Sequence, residues 1–336
     1  MTGLLDTLPP ELHERVRAAP PGAELAATPM LATLSDRRDF PDGWLFERKL
    51  DGIRVLAVRE RGEVTLLSRS GRRLNATYPE IVDALAAQDC ADFTVDGEIV
   101  AYFKGRTDFA LLQQRMGLTR AADVAASKVA VTYYVFDLLR LDGADVRRLA
   151  LRVRKSLLRR ALTFAAPLRF CAHRNEGGPE LLADACRRGW EGLIAKRAGS
   201  TYQRRRSDDW LKLKCSRAQE FVVGGFTEPA GSRTGLGALL IGHYEDGKLR
   251  YAGKVGTGFD HRTLRALRQE LDAREVRTSP FEGRRPERTA HWVRPELVAE
   301  IAFTEWTRDG LLRHPRYQGL RDDKDPREVV RERPEP

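Results

Sequence analysis

The chain has 336 residues, 42% of them apolar, and a formal net charge of +10; a length of this order asks for two cores rather than one. No apolar run approaches the ~20 residues of a membrane span, and Met1-Thr2-Gly3-Leu4-Leu5-Asp6 lacks the basic and apolar regions of a secretory signal. The four cysteines (Cys90, Cys171, Cys186, Cys215) and six histidines show no metal-ligand spacing, which sets aside a zinc module or a disulfide framework.

The expectation is a soluble, cytoplasmic protein without a membrane partner. The positive charge points to a polyanion. Residues 1–217 hold 37 basic and 28 acidic side chains, whereas the remainder holds 21 and 20, so the excess sits on the first part of the chain. Arginine richness from genomic base composition would explain Arg over Lys but not this asymmetry.

In chain order, residues 1–25 read as a lead-in segment, with Glu11 to Ala19 as a short helix between prolines. A domain is expected from residue 26. Glu47-Arg48-Lys49-Leu50-Asp51-Gly52-Ile53-Arg54 lies between two apolar runs, Trp44-Leu45-Phe46 and Val55-Leu56-Ala57-Val58. The second run reads as a buried strand and Asp51-Gly52 as a turn before it. A lysine beside such a turn is either a solvated charge or a nucleophile able to form a covalent bond to phosphorus.

Leu66 to Arg72 ends a strand in a Ser/Gly turn carrying Arg69, a residue type that grips phosphate oxygens in a fork. Tyr78 to Ala87 reads as a helix. Phe93 to Ala101 reads as a strand, a turn at Asp96-Gly97, and a strand carrying Glu98. A carboxylate there suits a ribose hydroxyl or a metal ion. Phe109 to Met116 reads as a helix. Lys128 to Leu139 is the strongest strand by its β-branched and aromatic content and contains Phe136, a core residue or a stacking platform for a flat base.

Leu149 to Phe164 and Pro179 to Arg188 read as amphipathic helices with basic outer faces. Glu191-Gly192 opens an apolar strand ending in Lys196-Arg197. Arg204-Arg205-Arg206 is a solvated charge run or a contact to a nucleic-acid backbone. Trp210-Leu211-Lys212-Leu213-Lys214 alternates strictly, which puts both lysines on one face; two neighbouring ammonium groups suit a shared anion. Beyond residue 218, short strands with glycine turns surround one helix (Asp260 to Leu271), a pattern that suits a small barrel. Residues 325–336 are charged and proline-rich and read as a flexible tail.

Taken together, Lys49-x-Asp51-Gly52-x-Arg54, the Arg69 turn, Asp96-Gly97-Glu98, Phe136, Glu191-Gly192, Lys212-x-Lys214 and Leu311-to-Lys324 resemble, in order, the motifs of ATP-dependent DNA ligases and mRNA capping enzymes. The similarity is greatest to the ligase domain of bacterial ligase D, an end-joining ligase. Two further phrases support this: Glu228-Pro229-Ala230-Gly231-Ser232-Arg233-Thr234-Gly235 and Lys254-Val255-Gly256-Thr257-Gly258-Phe259.

The resemblance implies an α+β fold. A nucleotidyltransferase (adenylation) domain of antiparallel sheets and helices, residues 26–217, would be followed by an OB-fold β-barrel, residues 218–324. It implies sealing of 5′-phosphate/3′-hydroxyl breaks through lysyl-AMP and DNA-adenylate. Lys49 would accept AMP, with Lys212, Lys214 and Arg54 assisting. Glu47, Arg69, Glu98, Phe136 and Lys196 would contact the nucleotide. Arg313, Arg321, Asp323 and Lys324 would contact the distal phosphates of ATP. Glu191, with Glu98, would hold a divalent metal, Mg2+ or Mn2+. A free lysine has a pKa of about 10.4, and neighbouring cations would depress it to expose the nucleophile.

Partners implied are nicked or broken double-stranded DNA, the Ku end-binding protein and a separate end-joining polymerase. The expected protein is monomeric and nucleoid-associated. The ~25 residues before the first domain cannot hold a DNA-encircling domain of ordinary size, which implies weak DNA affinity for the chain alone. The alternatives are an RNA ligase or capping-type nucleotidyltransferase, separable by ATP against GTP and DNA against RNA, and a DNA-binding protein without catalysis.

Overall fold

The computed structural model describes residues 3–215, 218–229, 235–283 and 290–332. It divides into two compact units, Met1–Cys215 and Ser216–Arg333.

The first unit is built on two sheets. The larger has eight strands, with Val131–Leu141, Phe93–Phe103, Ile53–Glu60 and Glu63–Ser68 side by side and antiparallel. The smaller has five, in the order His173–Arg174, Trp44–Arg48, Gly192–Arg197, Arg206–Lys214 and Leu31–Leu34. Pairing is antiparallel except at two edges, where Leu168–Phe170 and Leu31–Leu34 run parallel to their neighbours.

Alternation decides what each face meets. On Val131–Leu141, Val131, Tyr133 and Val135 enter the main core with Ile81, Leu85, Leu112, Leu157 and Leu158 from the helices behind the large sheet. Phe136 instead joins Leu56, Val58, Tyr202 and Trp210 between the two sheets. The far face of the small sheet, with Trp44, Phe46, Leu193, Ala195, Leu211 and Leu213, packs on Leu182 and Ala185 of the helix Gly178–Arg187. The unit is therefore layered helix, sheet, sheet, helix.

Several expectations from the sequence are corrected here. Asp96-Gly97 is not a turn: Phe93–Phe103 is one continuous strand. Gly97 is needed for space, because a Cβ there would meet the Tyr133 ring at 2.4 Å. The helix Leu151–Ala161 has the expected basic outer face, with Arg152, Arg159 and Arg160 exposed, but Arg154 and Lys155 are turned inward and buried. Residues before 26 belong to the core: Leu4, Leu5, Leu8, Leu12 and Val16 pack on it, Leu25 is buried, and Arg17–Ala18 adds an edge strand. Cys186 and Cys215 form a disulfide across 29 residues, with Cα atoms 5.2 Å apart. Sequence spacing could not show it, because one cysteine ends a helix and the other follows a strand of the sheet under it.

The second unit is an antiparallel six-stranded sheet, whose principal strands are Lys248–Val255, Leu239–Glu245, Ala218–Thr227, Ala290–Ala302 and Arg316–Leu320. Register shifts in four of its pairings bend it, as extra residues in a ladder do. The curved face closes on Phe221, Val223, Ile241, Val255 and Ile301. The helix His261–Asp272 inserts Leu264, Leu267 and Leu271; its cap is Asp260, which accepts from the Thr263 amide at 2.7 Å. One helix among curved antiparallel strands is the expected OB-type arrangement. Residues 326–332 are not a loose tail: Val329 is buried, its carbonyl accepts from the Tyr244 amide at 2.7 Å, and Val330 bridges Tyr244. Residues 230–234 of the Glu228–Gly235 phrase, and residues 333–336, lie outside the described residues.

Candidate active site

The site is a pocket between the two sheets of the first unit, lined by Glu47, Lys49, Arg54, Glu98, Phe136, Lys196 and Trp210, among others. The small sheet supplies its lysines. Glu47 and Lys49 are two apart at the end of one strand, and the Lys49 amide donates to the Gly192 carbonyl at 2.9 Å. Ile194 and Lys196 face the pocket from the next strand, and Trp210 from the one after. Period-two alternation then puts Lys212 and Lys214 on the Trp210 face, while Leu211 and Leu213 fill the core behind.

The large sheet supplies Arg54 and Glu98, directly paired across neighbouring strands. Glu98 Oε1 accepts from the Gly52 amide at 3.1 Å and so holds the loop after Lys49. Gly52 is required there because a Cβ would meet the Ile99 carbonyl oxygen at 2.2 Å.

Phe136 reaches the pocket through a bulge. Asp96 pairs with Asp137 and Gly97 with Val135, leaving Phe136 as the extra residue; bulges commonly re-aim a side chain in this way. Its ring meets Trp210 edge-on with centroids 6.0 Å apart. The Lys196 ammonium lies 4.2 Å from the Phe136 centroid and 4.1 Å from that of Trp210. The Arg54 guanidinium lies 5.3 Å from Phe136. Cations are thus set against an aromatic wall able to take a purine.

The polar groups are held from beneath. Lys49 forms an ion pair with Glu191. Arg54 makes a two-pronged contact to the buried Asp96, with Nε to Oδ1 at 2.8 Å, and Asp96 also accepts from the Tyr202 hydroxyl at 2.6 Å. Burial opposes the Arg54 charge, but Asp96 outweighs it and holds the guanidinium above its ordinary range.

Glu47 is buried between two lysines. It pairs with Lys155, and Lys196 stands 2.7 Å from its Oε2. The same Lys196 ammonium also lies against the Phe136 and Trp210 rings. Burial pushes the Glu47 carboxyl up, yet the two ammonium groups bring it below its ordinary value. Lys155 also donates to the Cys171 carbonyl at 2.9 Å.

Of the residues expected from the sequence, Glu47, Lys49, Arg54, Glu98, Phe136 and Lys196 line the pocket, Glu191 pairs with Lys49, and Lys212 and Lys214 lie on the Trp210 face of their strand. Arg69 is in the turn closed by Gly71 donating to the Ser68 carbonyl at 2.9 Å. That turn is at the Arg54 end of the sheet, since Ser68 pairs with Val55.

Arg313, Arg321, Asp323 and Lys324 belong to the second unit. Arg313 pairs with Glu305 at 2.6 Å and Lys324 with Glu220 at 3.0 Å. Arg321 is bound by Asp323 at 2.9 Å and Glu300 at 3.0 Å. These contacts brace the second unit's own strands.

Sequence reasoning missed Lys155, Asp96, Tyr202 and Trp210 as parts of the site. Trp210 is on the Lys212 face and was open to the same alternation argument; a lysine inside a basic amphipathic helix gave no signal.

Among the described residues no cluster of three or more His, Cys, Asp or Glu is arranged for a metal ion. One carboxylate beside Lys49, that of Glu191, instead suits a cation shared with phosphate oxygens, as Mg2+ prefers. No helix among the described residues is long and apolar enough to cross a membrane.

Comparison with known proteins agrees with this geometry. Residues 29–214 match the family described as ATP dependent DNA ligase domain, and residues 232–324 the ATP dependent DNA ligase C terminal region. The chain is 42% identical over 316 residues to the multifunctional non-homologous end joining protein LigD of Pseudomonas aeruginosa, covering 91% of this chain and 36% of that protein. It is 40% identical over 297 residues to the LigD of Mycobacterium tuberculosis, covering 86% and 37%. It therefore spans little more than a third of these relatives. A solved structure of mycobacterial DNA ligase D complexed with ATP and MES superposes with a TM-score of 0.62 at 36% identity, over 92% of this chain and 99% of that one. The pocket residues, the two-unit architecture and these matches place the chain in the ATP-dependent DNA ligase family.

Proposed function

We propose that this chain seals 5′-phosphate/3′-hydroxyl breaks in duplex DNA in three steps, and that it serves double-strand break repair by end joining. The observation that carries the reading is Lys49 beside Glu191 at the mouth of a pocket walled by Phe136 and Trp210. In the first step the Lys49 amine, having lost its proton, attacks the α-phosphorus of ATP; the bond to the bridging oxygen breaks and pyrophosphate leaves. In the second, the oxygen of a 5′-phosphate takes AMP from Lys49. In the third, the 3′-hydroxyl attacks that phosphate, AMP departs, and the backbone is closed.

Phe136 supports the purine, with Lys196 and Glu47 at its edge and Glu98 toward the ribose. Lys212, Lys214 and Arg54 offset the charge on the transferring phosphoryl group, where positioning and electrostatics supply most of the catalysis. Arg69 and Arg54 orient the 5′-phosphate. Arg313 and Lys324 attend the distal phosphates, with Arg321 and Asp323 bracing the second unit's strands. A divalent ion held by Glu191, with Glu98 as the second carboxylate, would neutralise phosphate charge. Ku and a separate polymerase are the proposed partners of a monomeric ligase, a reading that rests on the end-joining relatives.

The test is incubation with α-labelled ATP and Mg2+ or Mn2+ beside Lys49→Ala, followed by nicked DNA and nicked RNA. Label held by the wild type through a denaturing gel, lost in Lys49→Ala, and consumed by nicked DNA is the expected result. Equal label in the variant, with the wild type first freed of bound AMP by pyrophosphate, overturns the Lys49 assignment.

A further inference from the structure

The strand Phe93–Phe103 turns back through Lys104-Gly105 into Arg106–Thr107. Both turn residues have positive φ, +48° and +79°, the two-residue hairpin turn that matches strand twist. The tip is chemically unusual. Phe103 is 55% exposed, and only one other large apolar residue among the described ones, Val330, is comparably exposed. The Lys104 ammonium sits 5.3 Å from its ring centroid, and Arg106 is exposed beside it.

The base of this hairpin is fixed to the residues that precede the two reactive groups. Arg48, next to Lys49, donates through Nη2 to the Thr107 hydroxyl at 3.3 Å and stacks on Trp190 at 4.5 Å. Arg106 packs against Gly189, where a Cβ would meet its Nη1 at 2.7 Å; Gly189 and Trp190 lead directly into Glu191.

We infer that the Phe103–Arg106 hairpin tip is a DNA-contacting element that rides on the duplex flanking the break, with Lys104 and Arg106 on backbone phosphates and Phe103 against a base or sugar. The inference rests on the DNA-sealing reading and names a contact surface for it. An exposed aromatic ring with two cations on the same hairpin tip is a combination that tracks a nucleic-acid strand: charge supplies sequence-independent affinity, and the ring stacks on any base. Its attachment beside Lys49 and Glu191 puts the contact next to the chemistry.

The test is a fluorescence-anisotropy titration of a nicked duplex with the full chain in EDTA, at several salt concentrations. The variants are Phe103→Ala, Lys104→Ala/Arg106→Ala, and Arg61→Ala as a charge-removal control. Arg61 occupies the same kind of turn between Ile53–Glu60 and Glu63–Ser68, at the other end of the sheet. Losing two phosphate contacts should make the log–log salt slope shallower by about 1.8 and weaken binding roughly 30-fold at 0.15 M salt. Phe103→Ala should weaken binding roughly tenfold with the slope unchanged. Arg61→Ala should bind like the wild type.

A wild type that binds and seals the nick, with both hairpin variants equal to it, overturns the hairpin assignment alone. A wild type that takes label from ATP but does not bind the nick overturns both this assignment and the sealing reaction.

Discussion

Lys155 is the residue beneath the pocket whose removal should be felt most clearly without touching the nucleotide. It is 2% exposed, pairs with Glu47, and donates to the Cys171 carbonyl at 2.9 Å. Lys155→Met preserves much of the side-chain volume and removes the charge. Breaking a buried pair from one side costs about 3–5 kcal/mol, because the remaining charge is left without compensation. Here Lys196 stays 2.7 Å from Glu47, so the lower end, about 3 kcal/mol, applies. For a unit of this size the unfolding entropy implies a fall in Tm of about 7 °C at pH 7.

Glu47→Gln should cost more than Lys155→Met, since it leaves two buried ammonium groups facing one another. Differential scanning calorimetry of the two single variants measures both quantities. A Lys155→Met protein melting within 2 °C of the wild type, or a Glu47→Gln protein more stable than Lys155→Met, would refute the account of the triad as one cation–anion–cation unit.

Two further outcomes follow from the geometry. Phe136→Ala removes the bulged ring that faces Lys196 and should raise the KM for ATP roughly tenfold in the labelling assay, the usual scale of a lost base-stacking partner. Asp323→Asn should lower the melting temperature of the second unit and leave that of the first in place, because Asp323 is buried against Arg321 within that unit.

The pH dependence of the Asp323 contribution has a definite sign. Burial pushes the Asp323 carboxyl up, but Arg321 and Lys324 bring it below its ordinary value. Its stabilisation is therefore complete above the unfolded pKa of about 3.9 and is lost as pH falls through the lower folded value. Acid titration of the second unit's melting should show a loss below pH ~4 that is absent in Asp323→Asn.

Alternation made much of the site readable from the sequence. A strand with period two on the Trp210–Lys214 segment predicts which lysines share a face, and the structure puts Trp210 of that same face on the pocket wall. The turn signal at Asp51-Gly52 marked the place where Lys49 leaves its strand. At Asp96-Gly97 the same kind of signal misled, because the glycine answers to the Tyr133 ring packed over it rather than to a bend. Gly52 and Gly97 are both needed for space, against the Ile99 carbonyl and the Tyr133 ring, and local sequence does not show whether a chain bends at such a glycine or runs straight through it. Lys155 was unreadable for a related reason. A helix with arginines and lysines around it reads as solvated, and only the tertiary placement of Glu47 108 residues away makes that position a buried partner.

The arrangement also shows how Lys49 comes to stand among so many fixed charges. Glu47, Lys49 and Arg54 lie within eight residues of sequence, yet each is held by a different part of the unit. Lys155 and Lys196 hold Glu47, Glu191 pairs with Lys49, and Asp96 with Tyr202 fixes Arg54. Lys155, Lys196 and Asp96 are on a helix or a strand, Glu191 is at a strand's start, and Tyr202 is buried in the connection between Gly192–Arg197 and Arg206–Lys214. Phosphoryl transfer gains most from donors and cations that need not reorganise when charge moves, and these ion pairs supply that rigidity before a nucleotide arrives. The hairpin joined to Arg48 and Gly189 extends the same construction outward, so that a strand of DNA resting on Lys104 and Arg106 would be positioned by the same residues that position Lys49 and Glu191.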